Sequence, residues 1–163
     1  MLVLSTGDFL WFVDQALDAM VAIVVQLGDA VANRRPGVDG SRLPGANSPF
    51  AILTHCLGVM EFWGGAMVAG RVIERDRAAE FRSEGTVADL VGHVTAARRR
   101  LGDDLAVAED DSSLRATPDP GDAGTPYAEK GGVLVHILEE LYQHLGQMEI
   151  TRDVLLGSAP ASA

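Results

Sequence analysis

The segment HILEELYQH, residues 136 to 144, places two histidines and two glutamates in a stretch with apolar residues at helical spacing. Imidazole and carboxylate groups are ligands of zinc and other transition metals. Residues four apart share one helix face, with Cβ atoms about 5–6 Å apart, which suits two ligands of one ion. His136 and His144 lie about 12 Å apart along the axis and cannot easily share an ion. The spacing therefore leaves two pairs, Glu140 with His144 or His136 with Glu140.

A helical projection of this segment favours Glu140 with His144. With Glu140 at 0° and about 100° per residue, the apolar stripe is centred near about 80°. His144 falls inside the stripe at about 40°, Glu140 lies on its edge, and His136 lies outside at about −40°. Glu139 points away at about −100°, so we expect it in solvent. The residues that define the stripe are Val133, Leu134, Ile137, Leu141, Met148 and Leu155.

A third candidate ligand lies on the helix predicted from Ser48, a favourable N-cap followed by Pro49, to about Ala69. His55 falls on the apolar face of this helix, whereas Glu61 lies about 120° away from it. A core-facing histidine opposite a Glu–His pair would give three ligands, and a divalent cation would offset the cost of a buried carboxylate. The alternatives are a hydrogen-bonded structural histidine and a Glu–His pair on the helix surface.

Four long stretches with helical periodicity must position these residues, and none has the strict alternation of a strand. Four such helices without a sheet predict an all-α four-helix bundle, and the length suits one domain over residues 1–163. The connections of about 15 residues or more allow a crossover between consecutive helices. The third helix begins at TVAD, which has capping-box form, and the fourth stops at a glycine. The predicted ranges are 6–32, 48–69, 86–110 and 129–156.

The composition excludes several classes of function. A formal net charge of −10 argues against nucleic acid and anionic membranes as partners. Residues 9–27 are very apolar, but Asp14 and Asp18 disfavour a membrane span. The N-terminus has no signal-peptide pattern, so we expect a cytoplasmic protein. The basic run 98–100 is interpreted as a solvated helix face, and the single cysteine, Cys56, as a small buried residue rather than a nucleophile.

Four further residues have a structural interpretation beside a functional one. His136 is either a partner that orients Glu140 or a solvated residue. Gln147 lies one turn beyond the metal pair and could line the mouth of a cavity. Trp63 is expected in the core, where it could also form the wall of a ligand pocket. His93 is expected at the surface or in a hydrogen bond, although it could reach the interior.

Two segments, HCLGVMEFW at residues 55–63 and HILEELYQHLGQMEITRD at residues 136–153, resemble the DinB-like (YfiT-like) superfamily of four-helix metalloproteins. More closely, the chain is similar to its actinobacterial branch near the mycothiol-dependent enzymes. The resemblance extends over essentially the whole chain and implies an up-down-down-up bundle with one divalent metal. The ligands that it implies are His55, Glu140 and His144, with glutamate in the middle position as in the mycothiol-dependent maleylpyruvate isomerases.

The resemblance also implies a function. Single-domain relatives are linked to thiol S-transfer with mycothiol or bacillithiol as the thiol. A composition rich in Ala and Arg is typical of a high-GC actinobacterium, in which we expect mycothiol to be the small-molecule thiol that is transferred to an electrophile. The isomerases carry a C-terminal domain beyond the point where this sequence stops, so we expect transfer rather than isomerisation. Three protein ligands leave a position open, as in catalytic zinc sites; nickel, manganese or iron would also suit these ligands. The alternative is a non-catalytic metal-binding or dimerising bundle, for instance a homodimer.

Overall fold

A computed structural model of the protein describes residues 4–38, 41–108, 112–116 and 129–157. Within these residues the chain forms five α-helices, one π-helix and a hairpin of two-residue strands. The all-α prediction is therefore confirmed, apart from the small hairpin. The elements are α1 Thr6–Ala32, β1 Gly37–Val38, β2 Ser41–Arg42, α2 Pro49–Val59, the π-helix Met60–Val68, α3 Arg77–Glu80, α4 Val87–Ala106 and α5 Lys130–Gly157.

The starts of three long helices follow from side-chain caps. The hydroxyl groups of Ser5, Ser48 and Thr86 each accept a hydrogen bond from the backbone N–H three residues later. These bonds satisfy N–H groups that have no partner within the helix. The predicted N-cap at Ser48 and the capping sequence at Thr86 are confirmed, and α1 has the predicted bounds.

The long helices pack around one apolar core. α1 packs against α4 and α5, while α2 and the π-helix pack against α4 and α5 on the other side. The carboxylate of Asp29, near the end of α1, accepts a hydrogen bond from the backbone N–H of Val87 at the start of α4, 2.7 Å away. The largest fully buried side chains come from all four long helical segments and include Phe9, Leu17, Trp63, Leu101, Ile137 and Leu141.

The second long helix differs from its prediction. It changes at Met60 from α-helix to π-helix, which has i→i+5 hydrogen bonds and more residues in each turn. Backbone bonds of this class join Ala69 N to Gly64 O at 3.0 Å. A projection at about 100° per residue is therefore valid for His55 but not for residues after Val59.

The third long helix ends earlier than predicted. Helix α4 ends at Ala106, with Val107 as its C-cap, whereas the prediction extended to residue 110. The turn-rich loop around Pro118, Pro120 and Pro126 and the tail SAPASA lie outside the described residues. In the described part, the first link holds the β1–β2 hairpin, and the second holds α3. Neither of these short elements was predicted.

Two helices have the length and apolar composition of a membrane span, Thr6–Ala32 and Pro49–Val68. Core helices of water-soluble proteins share that composition, and 72% of the most apolar window of the second is buried within the protein. Length and composition are therefore weak evidence for a membrane span.

Candidate metal site

The structure brings together the three residues predicted as ligands. His55 on α2 and the pair Glu140 and His144 on α5 each offer one ligand atom, and these atoms lie within 4.8 Å of one another. Glu140 Oε2 lies 3.4 Å from His55 Nε2 and 3.3 Å from His144 Nε2. The side chains of His55, Glu140 and His144 are 1%, 22% and 15% exposed. The group therefore lies at the edge of the core, within reach of a small molecule.

Electrostatics couple the same three residues. Hydrogen bonds from His144 and His55 hold the pKa of Glu140 well below its usual range. Burial lowers the pKa of His55, but hydrogen bonds with Glu140 and Glu80 outweigh it and raise that pKa above its ordinary value. The carboxylate form of Glu140 is thus favoured by its hydrogen bonds with the two rings. A divalent cation can stabilise the same carboxylate while the rings act as neutral ligands, so this donor set fits a metal ion.

A further carboxylate, which the sequence did not predict, contacts His55 from the opposite side. Glu80 at the end of α3 places Oε2 2.7 Å from His55 Nδ1. Arg75 donates two hydrogen bonds to Glu80, at 2.7 Å to Oε1 and 3.0 Å to Oε2. Burial raises the pKa of Glu80, but the hydrogen bonds from His55 and Arg75 outweigh it and lower that pKa. Glu80 is therefore a buried anion with both oxygens bound.

A cavity of about 220 Å³ opens beside the predicted ligands. His136 lies on its wall, with Nε2 3.9 Å from Glu140 Oε1 and Nδ1 3.2 Å from Glu139 Oε2. Glu139 itself is exposed, as predicted. Trp63 is buried and meets the ring of His136 edge-on at 4.8 Å, so it serves both core and cavity. The lining residues are His55, Val59, Phe62, Trp63, Arg75, Arg77, His136 and Glu140.

Gln147 contacts a predicted ligand rather than the cavity. It is not among the residues that line this cavity; its Oε1 lies 2.9 Å from His144 Nδ1. Its side chain also borders a separate apolar groove together with Leu43 and Ile150. Gln147 therefore contacts the far nitrogen of a candidate ligand instead of the cavity mouth.

The other candidates have structural surroundings. Cys56 is fully buried, and burial raises the pKa of its thiol far above the ordinary value, which supports a core residue. His93 is exposed on α4. Asp14 and Asp18 on α1 both pair with Arg98 of α4, so this edge of α1 is ion-paired.

A known family matches most of the chain. The model of the DinB superfamily matches residues 13–148, which include all three predicted ligands and Glu80. The chain belongs to the DinB superfamily. This membership is consistent with a metal-binding domain, and within the described residues of this DinB-superfamily chain the His/Glu/His group could hold such an ion. No curated protein and no solved structure matches the chain.

Proposed function

We propose that this chain is a divalent-metal-dependent thiol S-transferase in which His55, Glu140 and His144 hold the ion. The observation that carries the proposal is the convergence of these ligand atoms, within 4.8 Å of one another, beside a cavity. Zinc is the proposed ion because it favours nitrogen and oxygen ligands and tolerates three protein ligands with one open position. When bound, the cation would favour the thiolate form of a low-molecular-weight thiol, with mycothiol as the proposed thiol.

The cavity walls provide what the reaction needs besides the ion. Phe62 and Trp63 give the cavity an apolar wall beside the ligands. His136 offers an imidazole nitrogen in the same cavity that can accept the proton of the thiol. The sulfur then forms a bond to the electrophilic carbon, and the leaving group departs with the bonding electron pair. Arg77 adds positive charge on the cavity wall where the leaving group separates.

We also propose the up-down-down-up order of the long helices within one cytoplasmic domain. Contacts between helix ends support it: the end of α1 meets the start of α4 at Asp29 and Val87. In the next pair of helices, Glu61 of the π-helix contacts Arg100 near the end of α4. A contact between residues that both lie late in their helices is expected when the two helices run parallel. The ring of His55 contacts His144, and the later residue Trp63 contacts the earlier residue His136. The second long helix therefore runs antiparallel to α5.

The test combines metal analysis with turnover. Protein purified without an affinity tag is assayed for metal content and for transfer of mycothiol to a chromogenic electrophile. His144→Ala should lose both bound metal and activity, whereas His93→Ala, which removes an exposed histidine from α4, should keep both. A wild-type protein that is loaded with metal and remains inactive across thiols and electrophiles would exclude the transferase.

One surface favours the alternative of a non-catalytic bundle that dimerises. Trp11 and Phe12 on α1 and Tyr142 on α5 are exposed. The ring centroids of Trp11 and Phe12 lie 4.9 Å apart, and those of Phe12 and Tyr142 lie 6.5 Å apart. Exposed aromatic clusters of this kind are typical of protein interfaces. Sedimentation equilibrium of the wild type and of Trp11→Ser would measure dimerisation separately from metal binding and turnover.

A further inference from the structure

We infer that Glu80 is a positioning residue that fixes the ring of His55 so that Nε2 faces the metal site. The inference rests on the part of the proposed function that makes His55 a ligand, and not on thiol transfer. It concerns a residue outside the His/Glu/His group, supplied by a four-residue helix in the link before α4.

The two ring nitrogens of His55 face different carboxylates. Glu80 Oε2 lies 2.7 Å from His55 Nδ1, whereas Nε2 lies 3.4 Å from Glu140 Oε2. A carboxylate at hydrogen-bond distance from Nδ1 holds the proton there, which leaves the lone pair of a neutral ring on Nε2. Metal-binding histidines are commonly oriented in this way by a carboxylate on the other nitrogen.

The carboxylate of Glu80 is itself held in place by hydrogen bonds. Arg75 binds both of its carboxylate oxygens, at 2.7 Å and 3.0 Å, so the group cannot rotate without losing a charged hydrogen bond. Asp76 caps α3 by accepting from the backbone N–H of Ala79 at 2.8 Å. The short helix that carries Glu80 therefore has its own fixed start.

The space around the contact between Glu80 and His55 is limited by two neighbouring residues. A Cβ at Gly58, one turn beyond His55 on α2, would collide with the Glu80 carboxylate. On the other side, the ring of Phe81 stacks on His55 with centroids 4.3 Å apart. The glycine admits the carboxylate and the aromatic ring limits the tilt of the imidazole, so both neighbours serve one orientation.

The experiment uses two variants that disturb the contact from opposite sides. Glu80→Ala removes the carboxylate, and Gly58→Ala keeps it but displaces it. Each should weaken zinc binding by about 10- to 100-fold, measured by competition with a chromophoric chelator. Glu84→Ala, on an exposed side chain of the same link, and Gly92→Ala, where a Cβ meets open space, are the matched controls.

A second readout needs neither metal nor turnover. Nitrogen-15 spectra of the metal-free protein, recorded at a pH where the ring is neutral, should show the Nδ1–H form of His55 in the wild type. Glu80→Ala should give a mixture of the two forms. Circular dichroism identifies a variant that has unfolded, in which case the other variant decides.

The outcomes separate this inference from the transferase. Loss of zinc affinity and of the Nδ1–H form in the variants supports the positioning role even if the wild type transfers no thiol. Unchanged affinity and an unchanged ring form in Glu80→Ala would overturn it even if the wild type is an active transferase. A wild type that binds no zinc would also overturn it.

Discussion

Two polar clusters lie along α2 and its π-helical continuation, and each contains a side chain from the link before α4. The site cluster consists of His55, Glu80, Glu140 and His144 with Arg75. The Arg71 cluster consists of Glu61, Arg71, Arg100 and Asp104. In both clusters a glycine on the long helix makes room for the incoming side chain: Gly58 for Glu80 and Gly65 for Arg71.

The clusters differ in how their charges are satisfied. Arg71 binds Asp104 through two nitrogens, at 2.7 Å and 2.9 Å, and Glu61 at 2.6 Å. Arg100 binds the second oxygen of Glu61 at 2.9 Å. Two guanidinium groups therefore meet two carboxylates, and the charges balance.

The site cluster lacks such a balance. Arg75 neutralises Glu80, whereas the partners of Glu140 among the described residues are imidazole rings. Its charge can be balanced by protons on those rings or by a cation. A glycine that makes room for a side chain from the link therefore accompanies a balanced set of ion pairs in one cluster and the candidate metal ligands in the other.

The largest expected effect comes from a variant that breaks the Arg71 cluster. Arg71→Ala leaves the buried carboxylate of Asp104 without its charged partner, so the free energy of unfolding should fall by about 3 kcal/mol. Urea denaturation measures the loss, and Arg99→Ala on an exposed position of α4 should change stability little. Zinc stoichiometry should stay at the wild-type value, and its loss would show that the two clusters are not independent.

A somewhat smaller effect is expected from zinc at the site cluster. A ligand that binds only the folded state at a hundred times its Kd stabilises it by about 2.7 kcal/mol. We expect this gain in the wild type and in Arg71→Ala, but not in His144→Ala. Urea denaturation with and without zinc measures it, and an equal gain in His144→Ala would place the ion elsewhere.

The smallest effect concerns the pH dependence of the Arg71 cluster. Burial raises the pKa of Glu61, but the hydrogen bonds and charges of Arg71 and Arg100 outweigh it and lower that pKa below 4.5. A carboxyl group with a lowered folded-state pKa adds stability above its unfolded pKa, and this contribution is lost as the pH falls through the folded pKa.

Glu61→Gln should therefore reduce stability at pH 7 and have less effect at pH 3. Because Glu61 is partly exposed, the difference should be below about 1 kcal/mol. Thermal unfolding across this pH range measures it, with Glu74→Gln in the same link as the control. An effect of the same size at both pH values would mean that Glu61 acts through packing rather than charge.

Helical periodicity explains how much of the site could be predicted. Glu140 and His144 lie on one regular α-helix, and His55 precedes the change of helix type, so a projection at about 100° per residue placed all three towards the core. The caps at Ser48 and Thr86 are local patterns, and for that reason their helices start where the sequence predicts.

Other parts depend on contacts that have no periodic signal. Glu80 reaches His55 because the link turns back onto α2, and only the glycine at Gly58 hints at the space it fills. The π-helix has its wide turn where Gly64 lies against Leu101 of α4 and Gly65 against Arg71. Such packing between distant segments decides the hydrogen-bond pattern, and a single-helix projection cannot contain it.

The burial of Cys56 has a consequence for the proposed transfer to electrophiles. It is the only cysteine in the sequence, it is fully buried, and burial raises the pKa of its thiol. Nucleophilic attack requires an accessible thiolate. The chain therefore presents no accessible thiol of its own for alkylation or mixed-disulfide formation, and a transferase built on this fold would not be inactivated by its substrates through its cysteine.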